Sequence, residues 1–127
     1  MTNEIDPLFI FHDGVFHEAC FARHPLKDAA IERYASVETH SNPETWHSFI
    51  SGLLIDDPTD YLPVGHLTDD EGSPLFEFNF AHFRRSELKE WDRLTELIDL
   101  LTASKERGEL AGVATDWLLD QLCAQTA

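Results

Sequence analysis

An α+β fold, with two short antiparallel β-hairpin regions packed against about three α-helices, is what this 127-residue sequence predicts. Three observations carry that reading. First, residues 8–21 (LFIFHDGVFHEACF) and residues 75–88 (LFEFNFAHFRRSEL) place apolar side chains at matching positions on both sides of a polar centre. The offset is a constant 67 residues, and it sets Leu8 on Leu75, Phe9 on Phe76, Phe11 on Phe78, Phe16 on Phe83 and Phe21 on Leu88. Second, apolar spacing of helical period follows each stretch. Third, clusters rich in Asp, Asn, Gly and Pro punctuate the apolar runs. The organisation expected is a single domain, 1–127. It would hold a degenerate internal repeat of units 8–37 and 75–102, followed by a helix at 110–124.

Taken in order, residues 1–7 are polar and expected to fray. Leu8 to Phe11 and Val15-Phe16 flank Asp13-Gly14, the dipeptide that supplies the positive-φ positions of a tight hairpin turn. Pro25 suits a first helical turn, where its missing N–H is not needed. Leu26, Ala29, Ala30, Arg33, Tyr34 and Val37 then give one face of a helix over 25–37. Residues 39–45 read as a loop. WHSFISGLLI, residues 46–55, reads as a strand pair or an extended segment bent at Gly52. Residues 56–60 form a turn. Residues 61–67 suit a short strand, placed at an edge by Pro63. TDDEGSP, residues 68–74, is a second turn.

Leu75, Phe76, Phe78, Phe80 and Phe83 predict the second strand region. Ser86 is a candidate helix cap, and Glu87 and Glu90 suit the positive end of the helix dipole. Leu88, Trp91, Leu94, Leu97, Ile98 and Leu101 recur at helical spacing and predict one helix over 87–102. Gly108 stops it. Val113, Trp117, Leu118, Leu122 and Cys123 mark the last helix.

A hydrophobic fraction of 43%, with three Trp and nine Phe, suffices for one core. The sequence contains no long apolar run and no basic-apolar leader, so neither a membrane span nor a secretion signal is expected. Two cysteines, Cys20 and Cys123, make no disulfide framework, and a reducing cytoplasm is the default. Twenty-four acidic residues oppose nine basic ones, for a formal charge of −15. The excess is even: eleven carboxylates against three cations in residues 1–64, and thirteen against six in residues 65–127. Such a field repels nucleic acid and anionic lipid and favours a basic protein partner.

His17 and Cys20 have the H-x2-C spacing of a zinc half-site at the end of a hairpin. This segment resembles the second ligand pair of treble-clef, LIM-like zinc fingers, which bring a C-x2-C pair as well. The counterpart here, Ser48-Phe49-Ile50-Ser51-Gly52, keeps the C-x2-C-G rhythm with serine at both ligand positions. The repeat's second copy sets Arg84 at the His17 position and Glu87 at the Cys20 position. The resemblance implies a scaffold that once held metal and is now held by aromatic packing, and metal-free stability is the expectation. The alternative is a mixed zinc site of His12, His17, Cys20 and His24, as in a structural or regulatory zinc protein. The plainer view is that Cys20 is a small core residue and the histidines are surface polar groups.

Enzyme signals are sparse. Nucleophile elbow, HExxH, P-loop and dinucleotide motifs are all missing from the sequence. Asp56, Asp57 and Asp60 lack the glycine and distal glutamate of a calcium loop. His66 and His82, with nearby carboxylates, are the residues a hydrolase or lyase would use. The function expected is a non-catalytic acidic module of inhibitor or immunity type. Its docking residues would be Asp56, Asp57, Asp60, Asp69, Asp70 and Glu71, without direct nucleic-acid or membrane binding and with no cofactor. Exposed aromatics at hairpin edges are also compatible with a homodimer.

Overall fold

The computed structural model of the chain describes residues 3–8, 24–40 and 43–126. The ordered elements are α1 (Lys27–His40), a 3-10 turn (Pro43–Thr45), a second (Pro58–Asp60), β1 (Tyr61–Pro63), a third 3-10 turn (Phe76–Phe78), β2 (His82–Arg84), a one-turn α2 (Arg85–Leu88), α3 (Leu94–Glu106) and α4 (Val113–Ala124). The architecture is α+β, with a two-stranded antiparallel sheet and helices around one core. Of the first copy of the sequence repeat, residues 8–21, all but Leu8 lie outside the described residues, as does the hairpin expected over 8–16, and the repeat is not confirmed.

The sheet pairs Tyr61 with Arg84, Leu62 with Phe83 and Pro63 with His82. Its ladder continues with Val64 N–H donating to the Ala81 carbonyl (2.9 Å) and Phe80 N–H to Gly65 (3.1 Å). Val64 N–H points across to the partner strand, so the backbone groups of Pro63 and His82, one step along, face outward. Pro63 thus sits where the ladder asks for no N–H, which is the edge role its ring allows. The outward carbonyl of His82 accepts instead from Phe49 N–H (2.7 Å), so the 46–55 segment lines the other side of β2. That segment, read as a strand pair or an extended segment bent at Gly52, turns back on itself around a single bridge. His47 bridges Leu54, and Gly52 takes φ +75°, a conformation only glycine adopts without strain.

The core gathers Leu62, Phe78, Phe83, Leu88, Leu97, Leu101 and Leu122, all fully buried. Phe49, from the bend, reaches Phe78, Phe83 and Trp91 with ring centroids 5.2, 5.6 and 5.9 Å away. Tilted and edge-on contacts of this kind add to what area burial alone supplies.

Several elements differ from expectation. Residues 75–80 are not a strand. Leu75, Phe78 and Ala81 are the buried positions, while Phe76 is 40% exposed. A three-residue spacing is the period of the 3-10 turn, so this turn buries what an alternating strand would not. The single helix expected over 87–102 is broken. Trp91 N–H bonds to Leu88 and Leu94 N–H to Trp91, a bend that lets Leu88, Trp91 and Leu94 all turn to the core before α3 begins. Ser86 does not cap α2; Arg84 occupies the cap position, and Ser86 itself donates to Asp60. Helix α1 starts at Lys27, and its predicted apolar face is not core: Tyr34 is 68% exposed and Arg33 is buried. In α4 the buried set is Thr115, Leu118 and Leu122, while Val113, Trp117 and Cys123 lie on the outer side.

The N-terminal segment, expected to fray, is tied down over residues 3–8. The Asn3 side chain donates to the Glu109 carbonyl (3.0 Å) and accepts from Ala111 N–H (2.8 Å), and Glu4 N–H donates to the Ala111 carbonyl (2.9 Å).

Candidate functional site

The six candidate docking carboxylates divide into two kinds. Asp60 accepts from Ser86 N–H (2.8 Å) and Ser86 Oγ (2.9 Å) and pairs with Arg84 Nε (3.4 Å). Burial works against its charge, but the Ser86 and Arg84 bonds outweigh it and hold the carboxyl below its usual range. Asp69 pairs with Arg33 (3.3 Å) and His66 Nε2 (2.8 Å). These two carboxylates are cross-links: Asp60 fastens the 56–60 turn to α2, and Asp69 fastens the 68–74 turn to α1. Asp69 is itself 76% exposed, and the other four carboxylates are exposed as well. Asp57 caps its own 3-10 turn through Thr59 N–H and Oγ1 (2.9 and 2.8 Å), and Asp70 holds Gly72 N–H (2.9 Å). Neither bond neutralises a charge. Asp56, Asp57, Asp70 and Glu71 have no cationic partner among the described residues.

The cations explain why. Lys27, Arg33, Arg84, Arg93, Lys105 and Arg107 each already pair with a carboxylate of this chain. Arg85 donates to Gln121 and lies over the Trp117 ring at 5.9 Å. Internal pairing thus consumes most of the positive charge and leaves the acidic turns, together with exposed Glu90 and Asp92, uncompensated.

Arg33 is the centre of a buried network that sequence reasoning missed, since it was read as part of an apolar helix face. Its Nη1 lies 2.5 Å from Asp6, and the two side chains are 9% and 6% exposed. His66 Nδ1 lies 3.5 Å from the same Asp6 oxygen. Burial alone would raise Asp6, but its bonds to Arg33 and Leu8 N–H and the Arg33 charge hold it low. Burial and the Arg33 charge push His66 down, against the pull of Asp69 and Asp6. Both His66 nitrogens face carboxylates. The other histidine considered for catalysis, His82, shares a 2.7 Å bond with the Tyr61 hydroxyl, whose pKa burial raises to about 12. The one advance signal for the network was a lone arginine at a buried period of a helix opposite Asp-rich turns.

Of the candidate zinc ligands, His12, His17 and Cys20 lie outside the described residues. His24 is described, and its Nδ1 accepts from Leu26 N–H (3.1 Å) at the entry to α1. Among the described residues no group of three or more His, Cys, Asp or Glu side chains could hold a metal ion.

The serine bend does bring together two positions singled out in the sequence. Ser48, 4% exposed, accepts at Oγ from Ile50 N–H (3.1 Å) and Ser51 N–H (3.2 Å). The same hydroxyl donates to Glu87 Oε1 (2.5 Å) in the first turn of α2. A bend with the C-x2-C-G rhythm is thereby clasped to the helix that follows the hairpin. No helix among the described residues is long and apolar enough to cross a membrane. No family model matches the sequence, and no curated protein and no solved structure matches it.

Proposed function

We propose that the chain is a non-catalytic acidic binding module that docks on a basic protein, as inhibitors and immunity-type proteins do. The observation that carries this reading is the disposition of charge: six of the chain's nine lysines and arginines pair internally, while Asp56, Asp57, Asp70 and Glu71 are exposed and have no cationic partner among the described residues. Surface carboxylates of this kind steer a cationic partner and raise its on-rate more than its final affinity. The exposed free thiol of Cys123 fits a reducing, cytoplasmic setting.

The scaffold under this surface is treble-clef-like in our reading, with the Ser48–Glu87 clasp standing where a metal would join bend to helix. Support comes from the serine spacing, the positive φ of Gly52 and the position of Glu87 opposite Cys20 in the repeat.

The test is capture of partners from the native host at low and at high salt. The expected result is a basic protein retained at low salt and released as salt rises, with an on-rate that falls several-fold in the Asp56→Lys/Glu71→Lys variant. A neutral partner whose binding ignores both salt and these substitutions would overturn the reading.

A further inference from the structure

Beside β2 lies the first arm of the serine bend, joined to it by Phe49 N–H and the His82 carbonyl (2.7 Å). Beyond that arm lies the returning one. Ser48 N–H donates to the Leu53 carbonyl (2.8 Å), and Ile55 N–H donates to the Trp46 carbonyl (2.7 Å). Leu53 and Ile55 thus turn these backbone groups inward. Leu54, bridged to His47 between them, turns its own N–H and C=O the other way. Among the described residues nothing bonds to either group. Gly52, at φ +75°, starts this arm, and Asp57, extended at φ −105° and ψ 110°, ends it before the Pro58 turn. Residues 53–57 are therefore an outer edge of the sheet.

An exposed edge is a template for another chain, and folds ordinarily blunt it. The β1 edge is blunted: Pro63 has no N–H, and Tyr61 N–H is taken by the Pro58 carbonyl. The 53–57 edge carries two large apolar side chains in solvent instead, Leu53 at 57% and Leu54 at 50% exposure, while Ile55 is buried. Asp56 and Asp57 follow, both exposed. Charge decides what covers this edge. A second copy would crowd Asp56 and Asp57 of both chains into one short interface, each chain carrying −15. A strand bearing Lys or Arg meets the same edge without that repulsion.

We propose that residues 53–57 receive an extended basic segment of the protein partner as an added antiparallel strand. Its backbone bonds to the Leu54 N–H and C=O, its apolar side chains meet Leu53 and Leu54, and its cations meet Asp56 and Asp57. This rests on the reading of the partner as a basic protein and says how that partner is held.

The probe is the peptide acetyl-KKTVV-amide. Read antiparallel, it sets lysine against Asp57 and Asp56 and valine against Leu54 and Leu53. Its comparator is acetyl-EETVV-amide. Each is titrated into the full ¹⁵N-labelled chain while the Leu54 amide resonance and its exchange with solvent are followed. The lysine peptide is expected to shift that resonance saturably and to slow its exchange several-fold, and the glutamate peptide to do neither. Leu54→Ala, and separately Asp56→Asn/Asp57→Asn, are each expected to weaken binding roughly threefold or more. Three results would each overturn the proposal: binding that leaves Leu54 exchange unchanged, equal binding of the two peptides, or Leu54 protection in the free chain that rises with its concentration. The last would assign the edge to a second copy. Any of them beside a salt-sensitive basic partner from the host removes the edge alone. A neutral host partner removes the docking reading, and this proposal with it.

Discussion

Ser48 is one hydroxyl with three hydrogen bonds, two accepted from its own bend and one donated across the fold to Glu87. Removing it strands two N–H groups as well as breaking the clasp. Ser48→Ala is therefore expected to cost about 1–3 kcal/mol, the penalty for leaving buried donors unmet. Glu87→Ala removes the clasp alone and is expected to cost less. The double variant isolates the bond. A coupling of about 1 kcal/mol in urea unfolding is expected, within the range for residues in direct contact. A coupling of zero would show that the bend and α2 are held by Phe49 and its aromatic neighbours alone.

Helix α3 shows how an element's end is fixed. Gly108 takes φ +75°, with its N–H bonded to the Lys105 carbonyl, and a Cβ built there would meet nothing within 4 Å. The cost of Gly108→Ala is then conformational and not steric, about 1 kcal/mol, read as a lowered melting temperature without a change in cooperativity. This helix end was legible in the sequence, as were α4, the Gly52 bend and the edge placement of Pro63, because glycine and proline act through their own backbone. What was not legible was settled by partners distant in sequence. The residue spacing across 87–102 is helical throughout, yet the chain bends at Trp91 because three large side chains must enter one aromatic cluster. Phe76, Phe78 and Phe80 alternate as a strand does, but only Phe78 is fully buried. Asp60 and Asp69 looked like free turn carboxylates, and only the fold reveals Ser86, Arg84, Arg33 and His66 around them.

At the scale of the molecule, the buried groups set the pH window of stability. Asp6 titrates below its ordinary value, so its contribution is complete above about pH 4 and is lost as the pH falls through the folded value. His66 is also lowered, so the folded state binds its proton less readily than the unfolded chain does. Its contribution is present above about pH 6.5 and declines below that. Both slopes have one sign, and stability should climb with pH from the acid side up to about 6.5. Tyr61, raised to about 12, acts oppositely: its share is intact below about pH 10 and fades as the pH rises beyond that. Urea midpoints measured from pH 3 to pH 11 should trace this plateau. Asp6→Asn should lower it by up to about 3 kcal/mol, since it takes a partner at 2.5 Å from the buried Arg33 charge while Asp69 remains beside it.

The stitch between Asn3 and residues 109–111 joins parts of the chain more than a hundred positions apart. Closing so large a loop is entropically slow, so this contact belongs on the native side of the folding barrier, after the helices have docked. Asn3→Ala should therefore leave the refolding rate nearly unchanged in stopped-flow experiments and accelerate unfolding, shortening the lifetime of the native state. An equal loss on the refolding limb would mean that the two ends meet early, and that the chain closes on itself before its middle is built.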